Sequence, residues 1–386
     1  MKKTKAKPAV APVRIPLTKP YTSEEEERAV IDVLRSGWLM QGEKVAEFER
    51  LIADYVGVKH AVAVNSGTSA LTLAVRAVGL REGDGVIVPS HSFVATANCA
   101  VHWGLKPAFV DIGRLTYNMN PFLVRRALDS NTRAIMVVHQ FGFAADIYPI
   151  GSIAEKHKLA LIEDAACSLG TTYRNRKTGS FGNAACLSFH PRKIITTGEG
   201  GMVVTDDDEI ANEIRSLRNH GIAPSGRTRK SRCEAAGFNY RMTDIQAAIG
   251  ITQFKKLEEI IRLRTRLADR YTEEVASCFV LDLPFWPDDS VPNYQSFVVQ
   301  FADDTINREV FLSHMIRHGI ECKPGIQPIH LEPAYEKDHS EADLPETIRA
   351  AERSFFLPLY PSMTDEEQEY VIDNLHKALS SKDIRD

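Results

Sequence analysis

The chain is 386 residues long, with 44% hydrophobic and 25% charged side chains. These proportions suit a folded protein with its own core and exclude a disordered, collagen-like or disulfide-scaffold chain. Forty-seven basic against 51 acidic residues leave a net charge of −4, so no global positive field draws the protein to nucleic acid or to anionic lipid. At roughly 150 residues per domain, two or three domains are expected. Six cysteines (Cys99, Cys167, Cys186, Cys233, Cys278 and Cys322) stand far apart, without Cys-x-x-Cys or zinc-type spacing, which predicts reduced thiols and no metal. No apolar run reaches the roughly 18 residues that span a bilayer. Lys2, Lys3, Lys5 and Lys7 are followed by prolines and single alanines, where a signal peptide needs a continuous apolar stretch. A cytoplasmic protein with no membrane or nucleic-acid partner is expected.

In chain order, residues 1 to about 14 read as a flexible basic tail. Ser23 is placed to cap a helix with acidic residues in its first turn and Gly37 as its stop. Short β-branched runs follow at 60–64, 85–88, 106–110, 134–138, 159–163, 185–189 and 201–205, most of the early ones separated by helical patterns. Such strand, helix, strand repetition predicts an α/β domain with a mainly parallel sheet covered on both faces, a three-layer α/β/α arrangement. A helical pattern runs from about Thr243 to Ala276. Beyond it, segments 294–301, 306–319, 342–353 and 364–380 read as one strand and three helices of a smaller α+β unit. The expected division is a tail at 1–14, a large cofactor-binding domain at 15–255 and a small C-terminal domain at 256–386.

Gly-x-Gly-x-x-Gly after a strand, the P-loop, Gly-x-Ser-x-Gly and His-Glu-x-x-His are all missing, so nicotinamide, P-loop, hydrolase-elbow and zincin chemistry lose their main support. Three other segments carry chemistry. AVAVNSGTSAL at 61–71 runs a strand into Gly67-Thr68 at a helix start, where free N–H groups and the helix dipole favour a phosphate; an ordinary capped turn reads the same way. LALIEDAA at 159–166 ends a buried strand on Glu163 and Asp164, at the sheet edge where α/β ligands sit; a carboxylate that caps the next segment is the plain alternative. ACLSFHPRKIITTGEGG at 185–201 ends a strand on Ser188 and His190 and presents Lys193 before a Gly-rich turn, in which small residues let a ligand approach the backbone. An isolated lysine is ordinarily a surface solubiliser. If strands 159–163 and 185–189 run parallel, Asp164 and Lys193 emerge at one edge beside Gly67-Thr68. A lysine, a buried carboxylate and a helix-end phosphate seat are what pyridoxal 5'-phosphate requires.

With these residues in view, the sequence resembles the DegT/DnrJ/EryC1/StrS sugar aminotransferases, a branch of the fold type I pyridoxal-phosphate enzymes. The resemblance runs through IPLTKP at 15–20, SGWLMQG at 36–42, EFE at 47–49, NSGTSAL at 65–71, PSHSFVATANCA at 89–100, EDAA at 163–166, SFHPRKIITTGEGG at 188–201, GFNYRMTDIQAAIG at 237–250 and LPLYPSMTDEE at 357–367. It implies Lys193 as the Schiff-base lysine and Asp164 as partner of the pyridinium nitrogen. Gly67, Thr68 and Ser188 are implied as phosphate ligands, Phe93 as the ring stacked on the cofactor, and Asn239 as a residue arriving from the second subunit of a homodimer. Where the family often has Gln near the cofactor's ring hydroxyl, this chain has Cys167, which the resemblance makes a candidate cofactor neighbour. Before His330 the frequent Tyr-x-Pro-x-His is Gly325-Ile326-Gln327-Pro328-Ile329-His330, so His330 is a candidate for the substrate side or a structural histidine. A lysine at 193 argues against the family's dehydratase branch, which carries histidine there.

The implied reaction moves an amino group from L-glutamate, through a pyridoxamine 5'-phosphate form, to a nucleotide-linked keto-sugar, a 4-keto-6-deoxy or 3-keto hexose. Arg227, Arg229, Lys230 and Arg232 in the run RTRKSR are candidates to clamp the sugar nucleotide's diphosphate, against the alternative of a solvated basic loop. A non-nucleotide ketone such as a keto-cyclitol is the rival substrate. A regulatory relative without turnover is the rival outside catalysis, and it predicts a lost lysine or aspartate.

Overall fold

Ser23 starts the first helix, Glu24–Ser36, with a capping box in which its backbone N–H donates to Glu26 Oε2 at 2.8 Å. Gly37, at φ 76°, ends it in the left-handed conformation that glycine adopts without strain. The computed structural model describes residues 14–222, 232–338 and 343–385. The expected alternation resolves into β1 (His60–Val64), β2 (Gly85–Pro89), β3 (Lys106–Val110), β4 (Thr132–Val138), β5 (Ala160–Asp164), β6 (Thr172–Tyr173), β7 (Arg176–Lys177), β8 (Ala184–Ser188) and β9 (Gly201–Thr205). Seven of these form one sheet in the order β1-β9-β8-β5-β4-β2-β3, in which β9 alone is antiparallel to its neighbours.

Both faces of this sheet are buried. Along β1, Val62 and Val64 pack with Leu73 and Ile214 on one side, whereas Ala61 and Ala63 pack with Phe48 and Ile251 on the other. That is the two-residue period of a strand covered by helices on both faces. The fold class expected from the sequence is therefore found.

The C-terminal part contains β10 (Leu281–Asp282), β11 (Ser290–Val291), β12 (Phe297–Phe301), β13 (Lys323–Pro324) and β14 (Ser354–Leu357). β11 pairs with β6, and the other four form an antiparallel sheet in the order β10-β12-β14-β13. Helices Arg308–Arg317, Pro345–Arg353 and Asp365–Ser380 accompany it. The sequence reading has a single strand here. Strands of two to four residues leave too short a trace for an alternating pattern to be read.

Three further differences bear on the site. The helix expected across 243–276 is two, Asp244–Lys255 and Leu257–Ala276, because the backbone at Lys256 (φ −97°, ψ −1°) interrupts the helical ladder. Arg14, placed by sequence in the tail, donates its N–H to the Gly319 carbonyl at 2.8 Å and lies over the Tyr370 ring; residues 1–13 lie outside the described residues. Ile15 and Leu17, grouped by sequence with the large domain, run along the C-terminal unit, where Leu17 N–H meets Glu321 Oε2 and Leu359 N–H meets the Leu17 carbonyl. This strap carries Leu17 and Thr18 into the cavity described below.

One buried side chain braces the C-terminal unit and a second ties it to the large one. The guanidinium of Arg264, 2% exposed, donates to the carbonyls of Leu359 and Gln295 at 2.9 and 2.8 Å, and burial lowers its pKa to about 10. Asp111, just after β3, accepts the N–H groups of Glu346 and Thr347 and the Thr347 hydroxyl at 2.7–2.9 Å. Helix Pro345–Arg353 has no side-chain cap of its own, so Asp111 caps it from the other unit. Asp111→Ala leaves these donors unmet and should lower stability by about 3 kcal/mol. Urea unfolding checks this; a loss within experimental error would show that water replaces the cap.

Candidate active site

The site begins with strand register. Gly201, the first residue of β9, stands opposite Val64 on one side and Ser188 on the other. The turn after β1 is thereby pressed against the end of β8. A Cβ on Gly67 would lie 2.8 Å from Ser188 Cβ, and one on Gly201 2.3 Å from the Ser66 carbonyl oxygen, so both positions require glycine. Ser66 caps helix Gly67–Ala77 by accepting the Ser69 N–H at 3.1 Å. The N–H groups of Gly67 and Thr68, at the first two helical positions, have no intrahelical acceptor. They stand with Ser188 on the wall of a cavity of about 620 Å3. Two N–H groups at a positive helix end and a hydroxyl fit a phosphate.

β5 pairs in parallel with β8, Asp164 opposite Cys186, which satisfies the condition under which Asp164 and Lys193 share an edge. Strand alternation separates the two acids. Glu163 is fully buried, accepts the N–H groups of Gly179, Phe181 and Gly182 at 2.7 Å each and meets His139 Nε2 at 2.9 Å. His139 Nδ1 accepts the Ala145 N–H at 3.0 Å, so Nε2 bears the proton. Burial pushes the Glu163 carboxyl up, but the bonds from His139 and the loop amides outweigh it and hold the group below the usual range. Glu163 therefore organises the 179–182 loop, and Asp164 lines the cavity.

Asp164 Oδ2 accepts the Thr96 hydroxyl at 2.9 Å and Oδ1 the Ala166 N–H at 3.2 Å; Thr96 in turn meets the Ser92 hydroxyl at 2.8 Å. Burial raises the Asp164 pKa, opposed first by the charge of Lys193 and then by Thr96. A desolvated carboxylate so placed gains most from a cation held against it, and a protonated ring nitrogen is such a cation. Lys193 lies in a turn in which the Phe189 N–H bonds the Gly200 carbonyl and the Thr197 N–H bonds the Phe189 carbonyl. Its Nζ lies 3.1 Å from Cys167 Sγ. Phe93 is 70% exposed on the same cavity, an open apolar ring available to a flat ligand. The residues present thus fit pyridoxal phosphate: a phosphate seat, a carboxylate for the ring nitrogen, a covering ring and an amine.

Lys193, Asp164, Gly67, Thr68, Ser188, Phe93 and Cys167 all line this one cavity. His330 does not. It is fully buried, with Nδ1 2.6 Å from Ser90 Oγ and its N–H on the same oxygen at 3.0 Å. Asn239 is exposed and outside its own chain's cavity lining. Arg227, Arg229 and Lys230 lie outside the described residues; Arg232 is exposed. Sequence reasoning missed Thr96 and Ser92, although both lie inside PSHSFVATANCA, Thr96 in helix Ala95–Val101 and Ser92 just before it. It also missed Arg192 and Lys323, which line the cavity beside Gln295; Lys323 comes from the two-residue β13, which carries no periodic signal.

A profile of the DegT/DnrJ/EryC1/StrS aminotransferase family matches residues 20–376. The spore coat polysaccharide biosynthesis protein SpsC of Bacillus subtilis (strain 168) is 37% identical over 383 residues, covering 96% of this chain and 98% of its own. GDP-perosamine synthase of Caulobacter vibrioides is 36% identical over 369 residues, covering 95% and 98%. The crystal structure of DesV from S. venezuelae, in complex with a ketimine intermediate, superposes with a TM-score of 0.89 at 32% identity, covering 96% of this chain and all of that one.

Thr96→Val removes the hydroxyl that favours ionised Asp164, so the carboxyl should hold its proton to a higher pH. With Asp164 as the partner of the ring nitrogen, pyridoxal phosphate affinity would be lost as pH falls through that value. The acid limb of affinity against pH should therefore move up by about one unit. Cofactor binding followed by fluorescence across pH tests this; an unmoved limb would mean that Thr96 does not hold the charge.

Proposed function

The chain belongs to the DegT/DnrJ/EryC1/StrS family of pyridoxal-phosphate-dependent sugar aminotransferases, and we propose that it transfers an amino group from L-glutamate to the ketone of a nucleotide-linked hexose, a 4-keto-6-deoxy or 3-keto sugar. The observation that carries this reading is the meeting of Lys193, Asp164 and the Gly67-Thr68 helix start on one cavity. Bound there, the cofactor supplies an aldehyde that exchanges amino groups and a ring that delocalises negative charge. Gly67, Thr68 and Ser188 hold its phosphate. Asp164, oriented by Thr96, keeps the proton on the ring nitrogen, and Phe93 covers the ring and excludes water. Lys193 Nζ, on the cavity wall, would be the group that takes up and returns the proton moved during the exchange.

Several features support the finer parts. A relative named GDP-perosamine synthase favours a nucleotide-linked sugar. Arg192 and Lys323 bring positive charge to the cavity wall, which an anionic substrate needs in a chain whose net charge is −4. For the homodimer, Ile31, Leu34, Trp38, Leu39 and Met40 leave an apolar stretch exposed, and the exposed Asn239 would serve a partner's cavity across it. Six free cysteines suit the reducing cytoplasm, and no helix among the described residues is long and apolar enough to cross a membrane.

In Lys193→Ala, borohydride should no longer fix the cofactor to the protein, and transfer should fall roughly 10²–10⁴-fold. Fixation that persists in the variant overturns the assigned lysine. Turnover of keto-inositols without turnover of any nucleotide-linked keto-sugar, measured by mass spectrometry of the products, overturns the substrate.

A further inference from the structure

We propose that Cys167 and Lys193 form a modification site at which a hydroperoxide joins the two side chains through a sulfur–nitrogen bond. Such a bond needs a thiol that an oxidant can reach and an amine already against it. Cys167 is partly exposed and lines the 620 Å3 cavity, through which a small oxidant can enter. Lys193 Nζ is 3.1 Å from its sulfur. Both backbones are held in place: the Cys167 carbonyl accepts from Asn293 Nδ2 at 3.0 Å, and the Lys193 N–H donates to the His190 carbonyl at 2.8 Å. The pair therefore meets without any rearrangement of the chain.

Among the described residues, the other five thiols lack this combination. Cys99, Cys186 and Cys322 are buried, and burial pushes each thiol up, away from the reactive thiolate. Cys233 is exposed but contacts the carbonyls of His220 and Ala235. Cys278 contacts the Glu274 carbonyl and lies 4.0 Å from His376 Nδ1. Among the described residues, neither of these has a lysine amine against its sulfur.

The chemistry balances in two steps. The Cys167 thiolate attacks one oxygen of hydrogen peroxide, the O–O bond breaks, sulfur loses two electrons to become a sulfenic acid, and the other oxygen leaves as water after taking a proton. Neutral Lys193 Nζ then attacks that sulfur. The S–O bond breaks, and the departing hydroxide takes the proton that nitrogen gives up, so a second water leaves. One thiol, one amine and one peroxide become one sulfur–nitrogen bond and two waters. A dithiol reverses the bond by thiol attack at sulfur. While it lasts, Lys193 is unavailable for proton transfer.

The bond depends only on the Cys167–Lys193 contact. Its block by pyridoxal phosphate, which engages the same amine, rests on the reading of Lys193 given above. The test uses the full-length protein, stripped of cofactor with hydroxylamine and then either reloaded with pyridoxal phosphate or left bare. Each sample is treated with a small excess of hydrogen peroxide at mildly alkaline pH and digested without reductant. In the bare protein, the peptides carrying Cys167 and Lys193 should run as one species, lighter than their sum by two hydrogens and separated by dithiothreitol. Cys167→Ser and Lys193→Arg should each abolish that species. Cys167 recovered unmodified, or as sulfinic or sulfonic acid with a free Lys193, overturns the proposal. A cross-link that forms equally in the reloaded protein leaves the site standing and removes Lys193 from the cofactor.

Discussion

Much of the cavity is arranged around one buried carboxylate. Asp164 sits at the end of β5 with little access to water, where an unpaired charge is costly. Thr96 and the Ala166 amide each supply one hydrogen bond, yet burial still raises its pKa. The neighbouring Lys193 is the main group that opposes the shift. A cationic ring nitrogen against Asp164 would remove the remaining cost, so the energetics of the protein and the chemistry of its cofactor ask for the same charge in the same place.

That carboxylate works because its neighbour does something else. Glu163 is buried more deeply than Asp164, but three backbone amides and His139 satisfy it. The adjacent acids therefore divide into a structural anion that holds a loop and a chemical anion left short of partners. The deciding quantity is the number of hydrogen bonds each receives, and strand alternation assigns it. The same logic separates Lys193 from the lysines and arginines that pair with carboxylates: among the described residues its recorded side-chain contact is the sulfur of Cys167.

Much of this was legible before any coordinate. The strands of the large sheet, the capped first helix, the Gly-Thr helix start, and the placement of Asp164 and Lys193 at one edge follow from periodicity, from capping chemistry and from the rule that α/β ligands sit at the carboxyl ends of strands. The short strands of the C-terminal sheet were not legible, because two residues of β structure leave no period. The break at Lys256 was hidden by good helix formers on both sides. The burial of His330 was not legible either, because a histidine in a loop carries no mark of it; its pairing with Ser90 spans 240 residues. Thr96 was missed for the converse reason, since a threonine at a helix start reads as local capping until a distant carboxylate is seen to accept from it.

The sequence by itself determined the fold class, the family and the identity of the chemical groups, because these depend on local patterns and on residue types that stay near one another in the chain. Only the tertiary structure decided which of two adjacent acids faces the cavity and that His330 is buried away from it. It also decided that Leu17 and Thr18 cross over to wall the cavity, and that Cys167 touches Lys193. Those choices turn on contacts between residues tens to hundreds of positions apart, whose pairing is set by strand order and by what each side chain must exclude from water.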